Sequence, residues 1–468
     1  MARGKKTVVK SLSDAELLSY IINQDPVLSA NIDLPKQGES IIPIGKLIMS
    51  NGAYRNAFLN TINVIGVDFV KRNVWDNPWD FTKRGTMSLG QHVREFIVDL
   101  CNVYDYNSPS NDEARFMQEV VPNILSYIHE LNYQKFYEQT VSDEQMAMAF
   151  STEGGLLDLI EQTVGAMYES LKYDEWLVDK YQLCRRIVDG TMTVKSISTD
   201  GDPRYIVAQM KSATNKMTFR SPNYNPAGIR RANKFDELIT IMDADFEGLM
   251  STGVLATSYY KNEAELRTGL KLIDSFSESD EARLTELLGD AYTPFTDTEK
   301  EQLANIPAVV ISDQWFMDYD YLLDAEGDSK ATEWYSPTRL RKNMFLHKWG
   351  VKSTSPFEQG LVFVSNNNPS VTSVTVSPAS GTIIQGQTLQ MSATVVTSYF
   401  ANKAVTWSVV DSTTEEPVKG VTIDANGLLK VASDVANDLE FTVTATSIYD
   451  PSVSDTATIA TPVTGGGD

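Results

Sequence analysis

"LLDLIEQTVGAMYESLKYDEWLVDKYQLCRR", Leu156 to Arg186, is the stretch on which the fold turns. Leu156, Ile160, Val164, Met167, Tyr168 and Leu171 recur at three- and four-residue intervals, which places them on one face of an α-helix. The helix is long for a globular domain. A shorter one precedes it. Ser142-Asp143-Glu144-Gln145 has the Ser-x-x-Gln form of a capping box, Met146 and Phe150 follow, and Gly154-Gly155 separates the two helices.

Upstream, Leu125, Tyr127, Leu131 and Tyr133 alternate with Ser126, Glu130, Asn132 and Gln134, the period of an extended strand. Its expected partner is "GQHVREFIVDL", Gly90 to Leu100, whose β-branched content suits a strand although Val93, Phe96, Ile97 and Leu100 also satisfy helical spacing. "DYNSPSNDEARF" between them is the polar tip of a long hairpin that projects from the body. Downstream, residues 191–313 alternate: a helix near Tyr205–Lys216, a strand at Leu238–Met242, a helix after Asp245, and strands at Leu272–Phe276 and Ala308–Ile311. The acidic segment Ser275–Gln302 between the last two strands predicts a solvated surface helix pair.

From Val371 onward the composition turns to Thr, Ser and Val, after the turn-forming "SNNNPS" of Ser365–Ser370. Leu389, Met391, Ala393 and Val395 alternate with polar residues, as do Val405, Trp407 and Val409, and Leu439, Phe441, Val443 and Ala445. Short half-buried strands with turns at Pro378, Gly381, Gly386 and Asn426-Gly427 predict a two-sheet β-sandwich with Trp407 in its core. "VTIDANGLLKV", Val421–Val431, is a hairpin in it, free of reactive side chains.

The chain has 468 residues, 42% of them hydrophobic, enough for two or three domains with real cores. A net charge of -22 excludes a protein that coats nucleic acid through its phosphates. Cys101 and Cys184 form no CxxC pair, so no disulfide scaffold or zinc site is expected, and a reducing compartment fits. No export signal and no membrane span is expected either.

Each catalytic or ligand-binding motif is incomplete. His129-Glu130 lacks the second histidine four places on, where Tyr133 stands. "DADFEG" sets Asp243, Asp245, Glu247 and Gly248 in a calcium-loop pattern, but the twelfth place is Val254, so these acids are expected to cap the next helix. "GESIIPIGKL" spaces Gly38 and Gly45 too widely for a phosphate loop and has Leu47 at the hydroxyl position. With His92, His129 and His347 the only histidines and no Gly-x-Ser-x-Gly, no triad, cofactor or metal site is expected, and the chain reads as a non-enzyme. Two groups remain as candidate subunit-interface residues: Trp75, Trp79 and Phe81 with Lys83 and Arg84, and Arg220 with Arg230 and Arg231.

"VPNILSYIHELNYQKFYEQTV" (Val121–Val141), "IMDADFEGLMSTGVLATSYY" (Ile241–Tyr260), "ISDQWFMDYDY" (Ile311–Tyr321) and "GLVFVS" (Gly360–Ser365), in this order, resemble the major capsid proteins of phi-29-like podoviruses. The last hundred residues are similar to the bacterial Ig-like group 2 module, which adhesins also use. The resemblance implies an α+β Hong Kong 97-type capsid fold over residues 1–365: an N-terminal arm region (1–84), an extended loop (85–140), a peripheral domain (141–189 and 311–365) holding the long helix as its spine, and an axial domain (190–310). A linker (366–370), an Ig-like β-sandwich (371–463) and a flexible tail (464–468) would follow. It further implies self-assembly into hexamers and pentamers, an icosahedral or prolate shell around double-stranded DNA held without specific binding, a separate scaffolding protein, a portal or connector protein, and assembly in the bacterial cytoplasm. The Ig-like module is expected on the outer surface, with a possible host-surface ligand, and dispensable for the folding of the rest. The alternative is a cell-surface or tail-associated adhesion protein that uses the same module.

Overall fold

The computed structural model describes residues 14–36, 40–59, 61, 75–98, 100, 101, 103, 124–151, 155–199, 203–255, 269–323, 329–336 and 338–462. The expected long helix runs as Gly155–Ile160, one π turn Glu161–Gly165, and Ala166–Val188. At the π turn the Thr163 hydroxyl donates to the Leu159 carbonyl at 2.6 Å, competing with the helical ladder there. The preceding helix, Asp143–Ser151, starts on the reciprocal box read from the sequence. Gln145 N–H donates to Ser142 Oγ (3.2 Å), and Ser142 N–H donates to Gln145 Oε1 (3.0 Å).

Two five-stranded sheets flank this helix. In the peripheral sheet the long strand Arg341–Val351 pairs along one edge with Tyr133–Ser142 and along the other with Ser329–Ser336. Its last residues reach Asp318–Leu322, which in turn pairs with Lys83–Ser88. The axial sheet runs in the order Thr193–Ile197, Gly360–Ser365, Ala308–Ser312, Leu238–Asp243, Gly269–Ile273. Its two faces fill different cores. Leu361, Phe363, Ala308, Val310 and Leu238 meet the helix Pro203–Met217. Val362, Val364, Val309, Ile311 and Ile241 meet Leu177, Tyr181 and Leu183 of the spine helix, with Leu284 and Leu287 of the acidic pair Glu281–Leu288 and Asp297–Leu303.

Three sequence-derived boundaries change. Gly360–Ser365 lies inside the axial sheet and not in the peripheral domain; its first five residues are buried, as a strand covered on both faces requires. The projecting loop is narrower than 85–140, because Lys83–Ser88 and Tyr133–Ser142 are rungs of the peripheral sheet. The single strand read across 125–134 is two, Ile124–His129 and Tyr133–Ser142. The described part of the N-terminal arm region is helical. Helices Asp14–Gln24, Pro26–Asn31, Ile42–Ser50 and 52–59 bury Leu17, Leu18, Ile21, Ile22, Ile48 and Phe58 against Met146, Phe150 and Leu156. Gly45 sits where any Cβ would strike the Phe150 ring. Residues 1–13, the hairpin tip and the tail lie outside the described residues.

The C-terminal module is a sandwich around Val376, Leu429, Phe441, Val443 and Ile459, with Trp407 half-buried against it. The run read as one strand, Leu389–Val395, breaks at Met391. Thr388–Gln390 pairs with Leu428–Val431, whereas Ser392–Ser398 pairs with Ser370–Ser377. Gly427 explains the "DANGLL" turn: its φ is +79°, and a Cβ there would meet the Met391 carbonyl oxygen at 2.5 Å and the Trp407 ring at 3.2 Å.

The module is docked. Phe400, only 3% exposed, belongs to the same cluster as Leu183, Ile187 and Val188. Tyr399 and Phe400 both take left-handed backbone (φ +47° and +60°), a costly pair for non-glycine residues that turns the ring out of its own sandwich. Lys403 Nζ donates to the Val188 carbonyl (2.9 Å) at the end of the spine helix. At the linker, Asn366 N–H donates to the Ile197 carbonyl (2.9 Å), and Thr199 N–H donates to Asn366 Oδ1 (3.0 Å).

Candidate assembly interface

Among the described residues, the hairpin base Val93–Val98 and Ile124–His129 forms an antiparallel ladder of two strands. Opposed residues share a face. One face carries Val93, His129, Glu95, Tyr127, Ile97 and Leu125. The other carries Arg94, Ile128, Phe96, Ser126, Val98 and Ile124. On this second face Phe96 is 61% exposed, Val98 58%, Ile124 54% and Ile128 43%, and the Arg94 guanidinium lies 5.7 Å from the Phe96 ring centroid. A two-stranded ribbon is marginal by itself, and an apolar face on one calls for cover.

The ribbon is fixed firmly at its root. His129 is 1% exposed, its Nδ1 2.8 Å from Ser353 Oγ and its Nε2 3.1 Å from Glu95 Oε2. Both ring nitrogens of this buried imidazole thus have partners within the subunit. Asn132 clamps the Lys352 backbone twice, donating to its carbonyl (2.6 Å) and accepting its N–H (2.8 Å).

Below the root lies a buried network that sequence reading missed. Lys348 Nζ reaches Asp320 Oδ2 (2.8 Å) and Glu175 Oε1 (3.4 Å), and Lys83 Nζ reaches Glu175 Oε2 (2.7 Å). Lys352 Nζ bridges Asp179 Oδ1 (2.8 Å) and Asp318 Oδ2 (2.9 Å), while the Thr82 hydroxyl donates to Asp179 Oδ2 (2.9 Å). The only available signal was parity: Lys348 stands in register with the core residues Met344 and Leu346, a charged group on an inward face. Burial pushes the Asp179 carboxyl well up, the Asp318 charge adds to this, and Lys352 only partly opposes it. Glu175 goes the other way: burial opposes its charge, but Lys348, Lys83 and Lys352 hold it below its usual range. Three lysines thus face four carboxylates. The network joins the strand that leads into the hairpin to the spine helix and the peripheral sheet.

The candidate interface residues separate accordingly. Trp79 is fully buried, its Nε1 donating to the Leu272 carbonyl (2.9 Å), so it is spent inside the subunit. Phe81 packs on Trp79 and Phe316, and Arg84 donates to the Phe316 carbonyl (3.0 Å). Lys83 belongs to the buried network. Arg231 turns inward to the buried Glu358 carboxylate. Trp75, 39% exposed on Tyr173 and Trp176, and the exposed Arg220 and Arg230 keep a surface. Asp243 caps the helix Ala244–Leu255, accepting from Asp245 N–H (3.0 Å) and Phe246 N–H (3.3 Å), which is the role read in place of calcium binding. Among the described residues no cluster of His, Cys, Asp and Glu has metal-binding geometry, and no helix is long and apolar enough to cross a membrane.

A spine helix between a long-stranded peripheral sheet and an axial sheet, with an apolar hairpin rooted at their junction, is the arrangement expected of a Hong Kong 97-type phage capsid fold. Residues 35–364 match the Phi29-like phage major capsid protein family, and the chain belongs to it. Residues 370–448 match the bacterial Ig-like domain (group 2). The chain is similar to the major capsid protein of Bacillus phage PZA, 27% identical over 415 residues (87% of this chain, 84% of that one), and to that of Bacillus phage B103, 27% over 421 residues with the same coverage. Among solved structures it is similar to the capsid of Staphylococcus phage Andhra (11% identity, TM-score 0.47, 63% of this chain and 85% of that one). It is also similar to the capsid of Cyanophage P-SCSP1u (12%, 0.41, 63% and 90%). The family match spans the greater part of the chain, so the chain is a virion structural protein, and the adhesion alternative is not favoured.

Proposed function

We propose that copies of this chain close into a shell of hexamers and pentamers, icosahedral or prolate, around packaged double-stranded DNA. Assembly takes place in the bacterial cytoplasm with a separate scaffolding protein, and the shell incorporates a portal or connector protein. The observation that carries the reading is the exposed apolar face of the hairpin, whose root is fixed through His129 and Asn132. Fully burying a Val, Ile or Phe side chain stabilises by about 1.5–3 kcal/mol. The four side chains are about half exposed, so covering this face contributes about 3–6 kcal/mol per contact before the cost of association. Modest contacts repeated over many copies suffice for a closed shell. Trp75, Arg220 and Arg230 are further contact candidates. The acidic balance suits a container that does not grip its DNA, and the Ig-like module is the part that would meet a host surface ligand.

The test is negative-stain microscopy of the full chain expressed with the small genes that flank it. Shells or tubes are expected. Soluble monomers alone would overturn the reading. Phe96→Asp should leave the monomer folded and cut particle yield at least tenfold; normal particles from it would remove the hairpin from the assembly surface.

A further inference from the structure

The axial domain carries opposite charges on opposite sides. Between Pro203 and Phe235 the sequence has seven basic residues and no acidic one, in a chain of net charge -22. Between Glu278 and Gln302 it has eight acidic residues and two basic ones. Topology separates the two segments. The basic helix Pro203–Met217 follows the edge strand Thr193–Ile197 and covers one face of the axial sheet. The acidic helices Glu281–Leu288 and Asp297–Leu303 follow the other edge strand, Gly269–Ile273, and pack on the opposite face.

A groove of about 470 Å³ opens between the basic helix and its edge strand, lined by Lys195, Tyr205, Gln209, Ser212, Lys216 and Tyr224, among others. Lys195, Lys216 and Tyr205 (62%) in this lining are exposed, and so are Phe219 (72%), Arg220 and Arg230 in the segment that follows the helix. On the other side Glu278, Glu286, Asp290, Asp297 and Glu301 are exposed.

We infer that the basic groove of one subunit receives the acidic helix pair of a second copy of this chain. Two unlike, complementary patches on opposite sides of a subunit make a head-to-tail contact, and a head-to-tail contact that closes by rotation makes a ring. The sign pattern forbids the reverse pairing, since like patches repel, and so gives the ring a single direction. The inference rests on the shell-forming reading and specifies which surfaces meet within a ring.

The experiment uses charge reversal in the full chain expressed with its flanking genes, scored by particle yield in sedimentation and microscopy, with a thermal melt of the soluble subunit as the folding control. Lys216→Glu with Arg220→Glu is expected to lower particle yield at least tenfold. Asp290→Lys with Glu301→Lys is expected to do the same. Combining all four is expected to restore yield to within about threefold, because the reversed surfaces again match. Wild-type yield from either pair, or no recovery in the combination with melts unchanged, overturns the inference. Empty shells in normal number from Lys216→Glu with Arg220→Glu would instead give the groove to packaged DNA and equally overturn it. Absence of particles from the wild-type chain would strike the shell-forming reading, a different result from any of these.

Discussion

Phe400→Ala is the perturbation that separates a docked module from a tethered one. The ring is 3% exposed and packs with the end of the spine helix, so its removal costs about 3–5 kcal/mol as a buried Phe-to-Ala change. The sandwich core around Phe441 and Leu429 is a separate cluster and stays intact. The loss therefore falls on the docking contact and on the helix end beneath it. With the module released, the Lys403 bond to the Val188 carbonyl goes too, about a further 1 kcal/mol. Segment-resolved hydrogen exchange on the full chain reads this directly. Protection at residues 183–190 should fall while protection in Glu440–Ser447 holds. Phe441→Ala, which guts the sandwich, should show loss in its own strands first. If Phe400→Ala leaves residues 183–190 protected to within about 0.5 kcal/mol, the plug does not hold the module and the reasoning fails. By the same logic, truncation after Ser365 should leave a less stable capsid domain, contrary to the dispensability expected from the sequence.

Other outcomes follow from single residues. Gly427→Ala should destabilise the sandwich by about 2 kcal/mol or more in urea titration, since it meets both a left-handed φ and the Met391 carbonyl. Lys352→Met should cost about 3–5 kcal/mol by leaving Asp179 and Asp318 facing each other unscreened; a loss under 1 kcal/mol would show that the pair does not depend on that cation. Asp179 has a folded pKa raised above its unfolded value of 3.8, so its contribution is fullest below that value and is lost as pH rises toward the folded pKa. Asp179→Asn, which imitates the protonated carboxyl, should flatten the fall in stability that sets in as pH rises above the unfolded value of 3.8. An unchanged slope would refute the assignment.

What could be read from the chain depended on whether periodicity was honest. The spine helix was legible because Leu156, Ile160, Val164 and Met167 keep helical spacing through the π turn. The capping box at Ser142 and the cap at Asp243 were legible because each rests on a contact within three residues. The placement of Gly360–Ser365 was not: a continuous apolar strand says that it is central but not in which sheet. Trp79 looked like an interface residue because sequence shows an aromatic and not whether Leu272, 193 residues away, supplies an acceptor for it. The buried network hid for the same reason, with Lys83, Glu175 and Asp318 on three different elements and Lys352 just past the end of a fourth. Phe400 sits at a strand end whose outward turn needs two left-handed residues, which no pattern announces.

The position of Gly360–Ser365 also sets a timetable. Thr193 pairs with Leu361, so the edge strand leaves the ribosome 168 residues before its neighbour exists. At synthesis rates of about 5–20 residues per second that is on the order of 10–30 s. During this wait Ala308–Ser312 and Leu238–Asp243 can pair, but Thr193–Ile197 cannot join them, because the strand between is unmade. The axial domain is thus closed by nearly the last strand of the capsid portion to be made. A nascent chain keeps its basic helix unanchored until then, and no subunit can offer a finished axial face to a neighbour before it has been synthesised past Ser365.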